Sequence, residues 1–332
     1  MKRFIVITTI HEKTCGIRKF EAFPDWHLVV VGDQKTPQYK DTDNLTYLSI
    51  EKQQEMGFRI AGQLPFNHYC RKNIGYLYAI SQGADIIYDT DDDNIPYDDW
   101  SFEAFSCENK LQSKDRFANV YRYFTDKPVW PRGFPLERIT AEKAPPSFEK
   151  SDTRPIAVWQ GLADRDPDVD AIYRLVYGEL LDFENRPSVY LDRHIYCPFN
   201  SQNTLWNRIA FALMYLPVTV SFRFTDILRG YIAQRLFWAA DHHLGFCRAT
   251  VYQERNVHDL LSDFRDEIEC YLNVPEVVEV LDNIDLVGEL DRMLLAIYQG
   301  LAAAGLVQPE ELGLVDTWLD DVTRALDGGR NG

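Results

Sequence analysis

Two short β-branched runs constrain this chain's fold more than any other feature. "RFIVITTI" (residues 3–10) and "WHLVVVGD" (26–33) are almost wholly apolar and end on polar or glycine residues. A strand with one face in water alternates apolar and polar side chains. A strand apolar at nearly every position is buried on both faces, as in a parallel sheet covered by helices. "EKTCGIRKFEAF" lies between the two runs and supplies a crossover helix, which gives a β-α-β start. The pattern continues in "HYCRKNIGYLYAISQGA" (68–84), with Ile74, Leu77, Tyr78 and Ile80 at helical spacing and Gly83 as a stop, followed by the strand "DIIYD". The carboxyl ends of these strands carry "TTIHEK", "GDQKTP" and "DTDDDN". Ligands of open α/β sheets bind at that edge.

The third of these ends is unusual. Asp89, Asp91, Asp92 and Asp93 place four carboxylates in five positions, where mutual repulsion costs stability. One reading is a solvated acidic turn, since aspartate is common in turns. The other is a divalent cation, Mn²⁺ or Mg²⁺, held by carboxylates together with the phosphates of a nucleoside-diphosphate sugar. The basic pair Arg71 and Lys72 precedes the cluster, on a helix that returns toward the same region. A net charge of −16 excludes a basic nucleic-acid-binding surface as the main feature. The six cysteines are scattered, with no C-x-x-C pair, and read as reduced thiols of a cytoplasmic protein rather than a zinc site. No apolar run approaches the roughly 18 residues a membrane span needs, so no transmembrane segment is expected.

The middle of the chain is less regular. "KPVWPRGFPL" (127–136) reads as a structured loop. "AVWQGLADRDPDVDAIYRL" (157–175) reads as a strand, a polar turn and a helix starting near Pro167–Asp168. "TVSFRFTDILRGYIAQRLFWAADHHLG" (219–245) reads as a strand leading into a helix that carries His242 and His243, with Asp226 at the junction. From about residue 255 the sequence is mostly amphipathic helix. The expected division is a catalytic unit over 1–250 and a helical C-terminal extension over 251–332 packed on it.

Several blocks, in order, resemble STELLO-type glycosyltransferase domains and, more distantly, the reversibly glycosylated polypeptide or UDP-arabinopyranose mutase family. They are "FIVITTI", "HLVVVGDQKTP", "YCRKNIGYLYAISQGADIIYDTDDDN", "VWPRGFPL", "QGLADRDPDVDA" and "FTDILRGYIAQRL…DHHLG", which together span about residues 4–245. The resemblance implies a GT-A-like (Rossmann-like) α/β fold, with a mixed, mostly parallel sheet flanked by helices. It also implies a metal-dependent site for a UDP- or GDP-sugar, UDP favoured. Asp91, Asp92 and Asp93 fall on the family's triple aspartate, Thr8 and Thr9 on the loop after the first strand, and Asp33 where the base or ribose is contacted. Asp168 and Asp170 match its Pro-Asp-x-Asp-Ala segment. Arg132 matches the arginine that the mutases glycosylate reversibly, and Asp226 the late acidic position where a general base or acceptor contact lies. Where mutase-like sequences carry a further histidine, this chain reads "TVYQERNVHDL", which puts Gln253 or His258 there.

Three functions follow as expectations. The first is a metal-dependent glycosyltransferase acting on an unknown glycan, lipid or protein acceptor. The second is a nucleotide-sugar mutase that modifies itself at Arg132, and the third a non-catalytic sugar-nucleotide-binding scaffold. A homo-oligomer is compatible with each.

Overall fold

The computed structural model describes residues 1–140, 145–255 and 259–329. In chain order its elements are β1 (Arg3–Thr8), α1 (Cys15–Glu21), β2 (His27–Val31), β3 (Leu45–Leu48), α2 (Ile50–Glu55), α3 (Lys72–Ser81), β4 (Ile86–Thr90), β5 (Asn94–Pro96) and β6 (Ser106–Gln112). There follow β7 (Ser147–Asp164), α4 (Ala171–Val176), β8 (Val189–Tyr190), β9 (Asn203–Asn207), α5 (Thr225–Ala239), β10 (His243–Gln253), α6 (Leu260–Asp266), α7 (Ile268–Asn283), α8 (Leu290–Ala303) and α9 (Glu311–Gly328).

The strands form one mixed sheet of ten, in the order β3-β2-β1-β4-β9-β7-β6-β8-β10-β5, in which β10 also pairs with β7. β3, β2, β1 and β4 are parallel, as the apolar runs required. Strand periodicity divides β1 and β2 between the two faces. Val6, Val29 and Val31 enter one buried cluster, and Ile5, Ile7, Leu28 and Val30 the other. β9 is antiparallel to both β4 and β7, while β10 runs parallel to β7. The ends of β1, β2, β4, β7 and β10 and the start of β9 therefore share one edge.

Two segments differ from the sequence expectations. Residues 219–224 form no strand. Their neighbourhood bonds instead to carboxylates of the C-terminal helices: Glu311 accepts from Val218 N (3.0 Å) and Thr219 N (2.7 Å), and Glu269 from Ser221 N (2.7 Å). Once side chains satisfy those backbone donors, the segment needs no strand neighbour. His243 does not continue the helix. α5 ends at Ala239, Asp241 turns the chain at positive φ, and His243 opens β10.

The C-terminal helices are tied to the rest of the chain by buried polar groups. Asp321 on α9 accepts from Ile60 N (2.9 Å), and Trp318 donates to Ala212 O (2.8 Å). Glu267, fully buried between α6 and α7, accepts from Ala171 N at the start of α4 (2.7 Å) and from Arg223 (2.7 Å). The helical end of the chain thus positions residues at the sheet edge. Among the described residues, no helix is long and apolar enough to cross a membrane. All six cysteines are free thiols.

Candidate functional site

A cleft of about 360 Å³ opens along the shared edge. Strand order sets out its parts. Thr8, Thr9, Gly32 and Asp33 follow β1 and β2, with Asn67, His68 and Arg71 above them. The acidic turn follows β4. Gln202, Asp168, Arg174, Gln253 and Arg255 come from the β9, β7 and β10 side.

The four clustered aspartates separate into different environments. Asp89 is fully buried between Lys72 (2.7 Å) and Arg229 (3.0 Å) and does not line the cleft. Asp92 ties the turn to its neighbours: its carboxylate accepts from Thr9 Oγ1, and its carbonyl accepts from Thr14 Oγ1 (2.5 Å), the N-cap of α1. A Cβ on Gly16 would stand 2.1 Å from Asn94 O, so only glycine lets α1 approach this turn. Asp91, Asp92 and Asp93 all line the cleft, and Asp91 and Asp93 are the two whose carboxylates do not tie the turn to Thr9. Asp91 accepts from Tyr69 Oη (2.8 Å) with a third of its side chain open. Asp93 accepts from Gln253 Nε2 (2.9 Å) through one oxygen, while the other is buried without a partner. Burial, with repulsion from Asp93, pushes the Asp91 carboxyl up to about 6 against the pull of Lys72. Burial, with repulsion from Asp92, pushes Asp93 up to about 6 as well.

An unpartnered buried carboxylate oxygen is costly, and a cation would satisfy it. Among the described residues no three His, Cys, Asp or Glu side chains form a ready-made metal cluster. Mg²⁺ and Mn²⁺ commonly bind through one or two carboxylates plus substrate phosphates, so a two-aspartate set fits that class. His258 lies outside the described residues.

Other sequence-predicted residues are placed as follows. Lys72 is fully buried, donates to Thr90 O (2.6 Å) and does not line the cleft, so it acts on the turn from behind. Arg71 lines the cleft at the β2 side, bonded to Gln53, whose amide donates to Gly32 O (2.7 Å). Asp33 stands in the cleft and accepts from Gln34 N (2.7 Å). Asp170 lies behind it, capping α4 through Tyr173 N (2.8 Å) and accepting from Trp130 Nε1 (2.6 Å), which makes Trp130 a packing residue.

Arg132 sits at the closed wall of the cleft. Nε and Nη2 each reach Asp168 at 2.8 Å, Nη2 also reaches Asp226 at 3.0 Å, and Nη1 bonds to Arg223 O. All three nitrogens are engaged, and although burial opposes it, the two carboxylates hold the guanidinium firmly charged. Asp226 in turn accepts from Ser201 N (3.2 Å) and Ile227 N (3.0 Å). Gly133 has φ +82°, which lets the loop turn at this point, and a Cβ there would press on Ile227 at 2.4 Å. The geometry makes Arg132, Asp168 and Asp226 a closed ion cluster rather than a free nucleophile and a free base.

Several further cleft residues carry no sequence signal of their own. Arg174, Arg255 and Gln202 come from separate stretches without a local motif. Phe222, half exposed beside His68 and Tyr69, had been read as part of a strand.

The acid-bearing cleft lies at the carboxyl edge of an α/β sheet, the edge where such sheets bind ligands. The STELLO glycosyltransferases family model matches residues 223–326. Probable glycosyltransferase STELLO2 of Arabidopsis thaliana is 29% identical over 302 residues, 84% of this chain and 39% of the relative. Probable glycosyltransferase STELLO1 of the same plant is 27% identical over 346 residues, 97% of this chain and 44% of the relative. Over most of its length the chain is similar to these probable STELLO glycosyltransferases. It spans about two fifths of the length of these curated relatives. A solved mycobacterial protein aligns over 84% of this chain and 73% of its own, at 10% identity and a TM-score of 0.38, too low to carry an argument.

Proposed function

We propose that this chain transfers sugar from a nucleoside-diphosphate donor, UDP-linked by preference, on a GT-A-like scaffold that requires Mn²⁺ or Mg²⁺. The observation that carries the proposal is the pair Asp91 and Asp93. Both are turned to the cleft and held at raised pKa, and one Asp93 oxygen is buried without a partner. A bound metal would neutralise charge on the departing diphosphate.

The protein's own residues do the rest. Thr8, Thr9, Gly32, Asp33 and Arg71 receive the nucleoside at the β1–β2 end. Lys72 and Tyr69 fix the Asp91 carboxylate from behind. Thr9 and Thr14 hold the turn that carries Asp93, so the acids are set before the donor arrives. Arg132 is scaffold: it keeps Asp168 and Asp226 in place, and no sugar adduct on it is proposed. Phe222 offers an exposed aromatic face at the cleft mouth.

Donor hydrolysis or transfer with Mn²⁺ tests this reading in the intact chain and in Asp91→Ala and Asp93→Ala. Loss of about 100-fold in each variant is expected; unchanged turnover in both would overturn the metal site.

A further inference from the structure

Resting on that reading, we propose that Arg174, Arg223 and Arg255 form an oxyanion subsite beyond the diphosphate, where the transferred sugar meets its acceptor. The subsite takes a carboxylate or a phosphate carried by one of those two partners.

The position follows from strand order. A donor whose nucleoside lies over β2 and β1, and whose diphosphate lies at the end of β4, extends its sugar toward β9, β7 and β10. The three arginines stand on that side. Arg174 is on α4 after β7, Arg223 just ahead of α5, and Arg255 just after β10, and all three line the cleft. Two neutral amides separate them from the aspartates: Gln253 donates to Asp93 (2.9 Å), Gln202 donates to Gln253 (2.9 Å), and Gln202 also donates to Asp166 O (3.2 Å). The positive wall makes no direct bond to the acidic turn, and Arg255 acts on Asp93 only through space, as the last of the influences on its carboxyl.

The arginines' own bonds leave capacity for a ligand. Arg223 directs Nε and Nη2 to Glu267 (3.0 and 2.7 Å). Arg174 reaches Asp166 and Pro167 O (2.8 Å), and Arg255 reaches Asp263 (2.6 Å). The Nε atoms of Arg174 and Arg255 are both buried without a partner, on side chains only 11% exposed. Arg132, next to them, has every nitrogen engaged. Crowding shows in Arg255: burial first, then repulsion from Arg174 and Arg223, pushes its guanidinium down to about 10 despite Asp166 and Asp263. A chain of net charge −16 that collects buried, like-charged arginines in its cleft holds them against a cost. A bidentate oxyanion would offset it.

Calorimetry on the full chain with Mn²⁺ tests the subsite and separates the two sources. UDP alone reads the nucleotide end. UDP-glucuronate against UDP-glucose reads a carboxylate on the donor sugar. Methyl glucuronide and inorganic phosphate, each against methyl glucoside and each with and without UDP, read an anion on the acceptor. At least one anionic probe should bind about tenfold more tightly than its neutral counterpart. Arg255→Gln and, independently, Arg174→Gln should abolish that preference while leaving UDP affinity within about twofold. Equal binding of anionic and neutral probes to the intact chain would overturn the proposal. So would a tenfold loss of UDP affinity in both variants, which would assign the arginines to the diphosphate. Failure of UDP to bind the intact chain would refute the nucleotide reading alone, because the probes without UDP still read the arginine wall. Melting temperatures of the two variants exclude misfolding as the cause.

Discussion

Asp89 and Asp93 lie four residues apart on one strand and its turn, and the protein treats their charges in opposite ways. Asp89 is closed between Lys72 and Arg229, out of reach of the cleft. Asp93 has a glutamine for a partner and a buried oxygen with none. The closed wall and the open wall on the far side repeat the contrast, since Arg132 is locked between two carboxylates while Arg174 and Arg255 each pair with one. Closed groups hold the sheet edge together. Open groups carry an electrostatic cost in the cleft, and a cost kept in one place points to a ligand.

Substitutions can break or sharpen that contrast. The largest effect is expected at Asp89. Asp89→Ala leaves two buried cations facing each other and should cost about 3–5 kcal/mol in urea unfolding, with or without Mn²⁺. A loss below about 1 kcal/mol would mean that the cluster is not structural. Arg132→Met should come next, at about 3 kcal/mol, because Asp168 and Asp226 lose their common partner. Arg132→Lys should recover only part of this, since an ammonium cannot reproduce the fork. The open acid should behave in reverse. Asp93→Asn relieves repulsion and should raise the melting temperature of the metal-free protein by roughly 2–4 °C at neutral pH. Stabilisation by Mn²⁺ should disappear in the same variant.

The smallest effect compares Asp168 with Asp170, two residues apart. Burial raises Asp168, but Arg132 outweighs it and holds the carboxyl below its ordinary value. Its contribution is present above the unfolded pKa of about 3.9 and is lost as pH falls. Burial pushes Asp170 up to about 6. The folded state then binds the extra proton, so stability falls as pH rises from about 4 to 6. In Asp170→Asn the fall in melting temperature from about pH 4 to 6 should become shallower by Asp170's share, Asp91 and Asp93 still contributing theirs, while the loss from Asp168 shows only below about pH 4.

What the sequence made legible follows the same division. β1, β2, α3 and β4 could be read because every position in a doubly buried strand shows its environment in its own residue type. The acidic turn could be read because four aspartates in five positions require a local explanation. The roles within it could not, since the partners of Asp89 and Asp93 are Arg229 and Gln253, more than a hundred residues away. Residues 219–224 have strand-like composition, and only Glu269 and Glu311 on distant helices turn them away from the sheet. β10 was hidden because "HHLGFCRATVYQ" follows a long helix without a proline or a strong breaker. The arginine wall has no motif, because its members come from three separate stretches.

The most direct test of an acidic turn kept open for a cation and a nucleotide is calorimetric titration of UDP into the intact chain and into Asp93→Asn, each with Mn²⁺ and with EDTA. The account predicts that Mn²⁺ tightens UDP binding at least about tenfold in the intact chain and has no effect in the variant. Equal affinity with Mn²⁺ and EDTA in the intact chain would contradict it.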